Sequence, residues 1–247
     1  MPVFGRPRMF REALFSILAQ GHEDWELVIH DGSERPQVDQ RIFDLIGPDR
    51  LKYQAGPNGG AIRNFNACFA RATGDILYAM GSDDLLSPGA FYSVNERFEA
   101  ERYPANFWLY GRTVSVDEEG RRTGTDGVPT SLDEMLGHNR LGIPSVFWAK
   151  GLMGLAGQMD PRFTITADYE LWLRFWRHRE PAFLDRDLGI YRHHDGQDTR
   201  VHLVRVEREV SWIRARHTYF AGEVKRAQSV YQGRKAYGGE EIPTTVN

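Results

Sequence analysis

Residues 74–84 read GDILYAMGSDD, an apolar run from Asp75 to Met80 that breaks off in the polar turn Gly81-Ser82-Asp83-Asp84. A short, continuously apolar run closed by a turn reads as a strand buried on both faces, the kind found in parallel sheets. The pattern recurs upstream. Trp25 to His30 (WELVIH) is a second such strand, and it stops at Asp31-Gly32-Ser33. Leu51 to Ala55 is another, followed by a glycine-rich loop at Gly56 to Gly60. Helical patterns separate them. Phe10, Ala13, Leu14, Ile17 and Leu18 recur at helical spacing behind Pro7, and Ala61 to Ala72 forms a helix stopped by Thr73-Gly74. Strands alternating with helices predict an α/β fold with a mainly parallel central sheet flanked by helices. Ser87 is expected to cap the next helix, with Pro88 at its first position.

Beyond Tyr103-Pro104 the pattern changes. Phe107 to Val116 predicts a long strand turning at Asp117-Glu118-Glu119-Gly120, then a polar, mobile stretch to Thr130. Asp168 to Arg179 predicts a helix with Leu171, Trp172, Phe175 and Trp176 on one side. Phe183 to Tyr191 predicts short strands, and a charged helix from about Asp198 to Phe220 closes the fold. Residues 1–222 are read as one domain, and residues 223–247 as a polar, flexible tail.

Composition narrows the function classes. A net charge of -3 over 65 charged residues is nearly balanced, which gives no electrostatic reason to expect nucleic acid as a partner. The one cysteine, Cys68, excludes an intramolecular disulfide framework and a multi-cysteine zinc site; it reads as a buried thiol. No apolar run approaches bilayer length, and Met1 to Pro7 lacks the apolar core of a signal peptide. A cytoplasmic protein is expected, at most peripheral at the inner face of the membrane. The aromatics and arginines of 172–179 allow a membrane-facing surface, although aromatics inside with arginines outside is the commoner arrangement.

The acids carry the chemistry. Asp31 and the Asp83-Asp84 pair each follow directly on a buried strand, and the carboxyl ends of strands in open α/β sheets line the ligand crevice. Adjacent carboxylates in a turn repel unless a cation or hydrogen-bonding ligand sits between them. Hard oxygen ligands of this type suit Mg²⁺ or Mn²⁺ shared with substrate phosphates. The plain alternative is that Ser-Asp-Asp merely caps the following helix.

Ordered along the chain, these segments resemble glycosyltransferase family 2, enzymes with the GT-A fold. Pro2-Val3-Phe4-Gly5-Arg6 is similar to that family's P-x-Y-N-R turn, and Ser16 to Gln20 to its S-I-L-x-Q helix end. Glu26 to Ser33 resembles E-L-I-I-V-D-D-G-S, and Asn58-Gly59-Gly60 with Arg63-Asn64 resembles N-x-G…A-R-N. Gly74-Asp75-Ile76, Ser82-Asp83-Asp84-Leu85 and Pro88-Gly89-Ala90 resemble G-D-I…N-S-D-D…P-G-A. Tyr110-Gly111 through Gly120 matches the Y-G-D…D-E-x-G hairpin. Ile143-Pro144-Ser145 with Phe147, and Ala167 to Arg174, resemble I-P-x…F…M-D-Y-D-L-W-L-R. Tyr191-Arg192-His193-His194 resembles F-R-x-H, so the ordered matches reach from residue 2 to about 199.

The resemblance implies a nucleotide-sugar-binding GT-A-like fold, with a donor half over about 1–104 and an acceptor and base half over about 105–222. It implies an inverting enzyme moving a sugar from a nucleoside-diphosphate donor to a hydroxyl of a glycan or lipid-linked glycan, with Mn²⁺ or Mg²⁺ as cofactor. Pro2, Phe4, Arg6, Asp31, Arg63 and Asp83 would bind the nucleotide sugar, with Asp31 at the base and Asp83 at the ribose. Asp84 and His194 would serve the metal, His193 and Asp195 being alternatives to His194. Asp168 would be the general base. That division suits the chemistry: a divalent ion stabilises charge on the departing diphosphate, and a single carboxylate takes the proton of the attacking hydroxyl. For Asp168 the bland reading, an acid favoured at a helix start, holds alongside the catalytic one.

The chain departs from the pattern in three places. Only Met1 stands where the family has an apolar strand before its first turn, so the first strand is expected to be truncated. Gly5 replaces the usual Asn, and His30 the first Asp before Asp31. Two rivals remain at this point. A nucleotidyltransferase is disfavoured because Pro2 to Arg11 has neither a G-x-G-x-x loop nor a lysine. A catalytically impaired scaffold of the same fold is favoured by the short first strand and opposed by intact Asp84 and Asp168.

Overall fold

The computed structural model describes the backbone of residues 1–236 and the side chains of residues 1–222. The strands are β1 (Pro2–Val3), β2 (Leu27–Asp31), β3 (Leu51–Ala55), β4 (Ile76–Tyr78), β5 (Leu85–Leu86), β6 (Trp108–Val116), β7 (Arg122–Asp126), β8 (Val146–Ala149) and β9 (Ala182–Arg192). The helices are α1 (Pro7–Leu18), α2 (Gln40–Ile46), α3 (Ala61–Arg71), α4 (Ala90–Ala100), α5 (Leu132–Gly137), α6 (Lys150–Ala156), α7 (Ala167–Trp176), α8 (Asp198–Val201) and α9 (Leu203–Ala236), with one 3₁₀ turn at Ile143–Ser145.

The α/β architecture with flanking helices is the one expected, but only the smaller sheet is wholly parallel. β4, read from its apolar run as a strand of a parallel sheet, pairs antiparallel with β8. β1, β2 and β3 pair in parallel as one sheet, with Val3 opposite Asp31 and Asp31 opposite Ala55. The other six strands form a mixed sheet in the order β4-β8-β6-β9-β5, with β7 paired to β6. Within it β6 and β9 run parallel and the remaining pairs antiparallel. β1 is two residues long and pairs only with β2 among the described residues. Where the two sheets fail to join, a cavity of about 610 Å³ remains, lined by Leu27, Val28, Cys68, Leu77 and Phe147 among others. Cys68 is buried there as a free thiol.

Two apolar clusters hold the layers together. One packs α1 and α4 against the strands through Phe10, Leu14, Ile29, Val94, Phe98 and Leu109. The other surrounds α7, where Trp108, Trp148, Trp172 and Phe175 interlock edge-on and stacked. Trp172 is fully buried and Trp176 nearly so, which puts the aromatics of α7 in the core and not on a membrane-facing surface. No helix among the described residues is long and apolar enough to cross a membrane.

Four further expectations need correction. The polar stretch after Gly120 is ordered as β7, whose residues are mostly exposed and which is held by its ladder to β6. Ser87 is not a helix cap. Its N–H donates to the Leu188 carbonyl of β9 while its carbonyl accepts from Gln20 and Ala90, so it is tied into the sheet junction; Gly89, at φ +74°, is the N-cap, and α4 starts at Ala90 with Pro88 outside it. The short strands around Asp185 are one eleven-residue strand, β9. The closing helix breaks at His202 into α8 and α9, and α9 continues to Ala236, fourteen residues past Gly222. Residues 237–247 of the expected tail lie outside the described residues.

β9 has to pass flush against the Ile143–Ser145 turn, and Gly189 makes that possible, because a Cβ there would overlap the Pro144 carbonyl. Gly189 is held by strand pairing on both sides and the atom it would meet is a backbone carbonyl of the 3₁₀ turn, so the clash has no flexible side chain to displace. Gly189→Ala is expected to cost about 2–3 kcal/mol, the upper part of the range for overpacking, read as a lower urea midpoint at unchanged slope.

Candidate active site

The ends of β1, β5 and β9 open onto a cleft of about 1740 Å³. Its floor is built by strand pairing. Leu85 pairs with Ile190, so β5 and β9 bring the turn carrying Asp83 and Asp84 against Arg192 and His194. The Arg192 N–H donates to Asp84 Oδ1 at 3.2 Å. Arg192 is itself buried, and its guanidinium pairs with Glu12 of α1. Gln197 closes the loop by donating from Nε2 to the Arg192 carbonyl at 2.5 Å.

The first turn supplies a cation. Gly5 and Arg6 both adopt the left-handed conformation, with φ +65° and +53°. That is unfavourable for an arginine, and such strain recurs at functional sites. Here it aims the Arg6 guanidinium across the cleft: Arg6 NH1 lies 3.2 Å from Asp83 Oδ2, and NH2 donates to the Gly196 carbonyl at 2.5 Å. His194 Nε2 lies 3.0 Å from the same Asp83 oxygen and 3.1 Å from Arg6 NH1. Asp83, Arg6 and His194 therefore form one cluster.

The other two oxygens of the acid pair are unengaged. Asp83 Oδ1 and Asp84 Oδ2 accept no hydrogen bond among the described residues, and both face the space beside Gly81, where a Cβ would lie 2.6 and 3.3 Å from them. Burial, then the neighbouring Asp83 charge, push the Asp84 carboxyl well above its ordinary value, against the opposing pull of Arg192. No group of three His, Cys, Asp or Glu side chains among the described residues is arranged to hold a metal alone. The donor set still fits a hard cation, because Mg²⁺ commonly takes one or two carboxylates and completes its shell with water and substrate phosphates.

Across the cleft, Asp168 is the second residue of α7. Its side chain keeps part of its surface open to the cleft yet lies deep enough that burial raises it to about 6. The N–H groups of Tyr169 and Asp168 pull the other way, and the Glu209 charge adds to the rise. Tyr191 of β9 ties the two sides together. Burial, with the charges of Asp84, Asp83 and Asp168, raises its hydroxyl against an opposing hydrogen bond with Thr199.

Of the residues singled out in the sequence, Pro2, Phe4, Arg6, Asp83, Asp84 and Asp168 line this cleft. His194 stands directly behind it, 3% exposed and bonded to Asp83; its neighbour His193 is at the wall. Asp31 and Arg63 are not brought to the cleft wall. The Asp31 carboxylate is buried and occupied by its own loop, accepting from Ser33 N–H at 3.0 Å, Gln37 N–H at 2.6 Å and the Tyr53 hydroxyl at 3.3 Å. Arg63 is exposed on α3 against Gly59. His30 packs against the 56–57 loop, with Nε2 3.3 Å from the Pro57 carbonyl. Sequence reasoning passed over Arg192, Tyr191 and Glu209. The first two sit inside a quoted motif; Glu209 carries no local signal, being one charge among many on α9.

The profile described as "Glycosyl transferase family 2" matches residues 1–148. Among curated proteins, an uncharacterized protein of Mycobacterium tuberculosis is 24% identical over 237 residues, covering 86% of this chain and 74% of its own length. A PGL/p-HBAD biosynthesis glycosyltransferase of Mycobacterium bovis is 25% identical over 193 residues, covering 77% and 72%. Among solved structures, S. aureus TarS 1-349 in complex with UDP aligns with a TM-score of 0.62 at 17% identity, over 87% of this chain and 63% of that one. The same protein with UDP-GlcNAc aligns at 0.55, over 79% and 58%. The chain thus spans less than two thirds of those TarS chains, and at such identity the likeness concerns the fold.

Proposed function

The chain belongs to glycosyl transferase family 2, and from that premise we propose that it moves a sugar from a nucleoside-diphosphate donor to a hydroxyl acceptor with inversion at the anomeric carbon. One observation carries the reading: the acid pair at Gly81, with two unengaged carboxylate oxygens, shares a cleft with Asp168, a half-buried carboxyl raised to about 6. A donor diphosphate beside the acid pair needs a cation between them. Asp84 and Asp83 would hold a divalent ion, which when bound neutralises charge on the leaving diphosphate. His194 and Arg6 fix Asp83, and Arg6 adds a positive charge at the same wall. Pro2 and Phe4 line the donor side. Asp31 would act through its loop, since its oxygens are already taken, and Arg63 would reach the donor only from the rim.

Asp168 takes the proton of the attacking hydroxyl. A carboxyl poised near 6 is a better match to that task at neutral pH than an ordinary aspartate. One base on the face of the sugar opposite the leaving diphosphate gives a single displacement and inverted configuration. Support for UDP as the nucleotide comes from the TarS complexes. Support for a cell-surface glycan or glycolipid acceptor comes from the relatives named for PGL/p-HBAD biosynthesis.

The test is transfer from UDP-, GDP- and dTDP-sugars to a panel of glycan and lipid-linked acceptors with and without Mn²⁺, the product anomer being read by NMR. Transfer that keeps the donor's configuration, or metal-independent transfer, would contradict the reading. The acid limb of kcat follows from Asp168. The base must be ionised, so kcat should fall tenfold per pH unit below about 6. A limb near pH 4, where an ordinary Asp titrates, would count against it.

A further inference from the structure

The loop before α7 is held by a residue from the far end of the fold. Glu209, on α9 and 8% exposed, turns its carboxylate onto Thr164, Ile165 and Thr166. Its Oε1 accepts from Thr164 N–H and Oγ1, both at 2.9 Å. Its Oε2 accepts from Ile165 N–H at 3.1 Å, Thr166 N–H at 3.0 Å and Thr166 Oγ1 at 2.9 Å. One buried carboxylate thus gathers five donors from three consecutive residues. Burial alone would raise the Glu209 carboxyl; the backbone donors outweigh it and hold it below its ordinary value, so it is a carboxylate throughout the working range.

The arrangement is costly for α7 unless it serves something else. Thr166 is the N-cap residue of α7 and makes no side-chain cap, because its hydroxyl is given to Glu209. A capping threonine normally bonds an N–H of the first turn. Two residues on, Asp168 faces the N–H groups left in that turn. Nor is Glu209 needed to dock α9. Ile213 is fully buried in the α7 cluster, and Glu170 of α7 pairs with Arg216 and His217 of α9 at 3.5 Å.

We infer that Glu209 is a positioning residue for the transfer reaction: by clamping Thr164–Thr166 it fixes Asp168 at the cleft-facing start of α7 without touching substrate. The inference rests on Asp168 as the base. Asp168 faces Glu209 from α9 and Tyr191 from β9, and the Arg214 charge of α9 bears on its neighbour Tyr169, so Glu209 is the acid there whose charge raises it.

The experiment compares Glu209→Gln with Asp168→Asn and the wild type, using UDP with Mn²⁺ for binding, steady-state transfer for kcat, and amide hydrogen exchange for the loop. Glu209→Gln is expected to keep UDP affinity within twofold and to lower kcat about 10- to 100-fold, comparable to loss of an outer-shell partner. Its acid limb should move to lower pH, since a negative charge beside Asp168 is gone, and amides 164–166 should exchange faster. Thr166→Val removes one donor of the five and keeps the fold if Glu209→Gln does not; a several-fold fall in kcat at unchanged UDP affinity is expected. Wild-type kcat and acid limb in the variants, with Asp168→Asn inactive, would overturn the role of Glu209 alone. Wild-type kcat in Asp168→Asn would overturn the base, and Glu209's role with it.

Discussion

Asp168→Asn should lower kcat by about 10²- to 10⁴-fold, the usual contribution of a positioned general base, while leaving UDP affinity in Mn²⁺ unchanged. The substitution keeps the shape of the side chain, and Asn can still face the first-turn N–H groups that meet Asp168. What it removes is proton acceptance at the cleft. Loss of an interaction used only in the transition state lowers kcat and kcat/KM together. Rising KM at constant kcat would instead make Asp168 an acceptor-binding group. Because burial raises the carboxyl to about 6 in the folded protein, Asp168 also opposes folding as pH rises through the interval from the unfolded value to about 6. Asp168→Asn should therefore be slightly more stable than wild type at pH 7, and a large loss of stability would show that the side chain is structural.

The second large effect concerns Asp84. Asp84→Asn is expected to weaken Mn²⁺-dependent UDP binding by about 100-fold, roughly 3 kcal/mol, and to abolish the rise in Tm that Mn²⁺ with UDP gives the wild type. The variant should fold well. In the metal-free protein Asp84 is a buried carboxyl whose ionised form is disfavoured, so the folded state binds its proton more tightly than the unfolded chain does. Wild-type stability without metal should then fall as pH rises from the unfolded value of about 4 toward the raised folded value. Asp84→Asn should flatten that slope. Metal-dependent UDP binding that survives in Asp84→Asn would place the cation elsewhere.

How far the sequence carries these conclusions depends on where each residue's partners lie. β2 and β4 were legible because their apolar runs stop at polar turns, although β4 already ends at Tyr78 and it is β5, paired with β9, that carries Asp83 and Asp84 to the cleft. α1, α3 and α7 were legible from helical spacing. β7 was not: RTGTD has neither alternation nor apolar content, and its order comes from pairing with Thr113 to Val116. Ser87 reads as a cap in isolation and becomes a sheet junction only once β9 arrives at Leu188. Asp31 shows the limit from the other side. It ends β2, and in the sequence it stands after an apolar run just as Asp83 does, yet Ser33, Gln37 and Tyr53 take its oxygens. Glu209 lies more than forty residues beyond the loop it holds, and nothing in its own neighbourhood marks it out from Glu207.

The most direct test of the central claim, a metal-assisted nucleotide-sugar site built on the acid pair, is calorimetric titration of the wild type with UDP, with Mn²⁺ and with EDTA. Saturable binding in Mn²⁺ that disappears in EDTA is the predicted result. Folded protein that binds neither UDP, GDP nor dTDP in Mn²⁺, or binds UDP equally in EDTA, would contradict it.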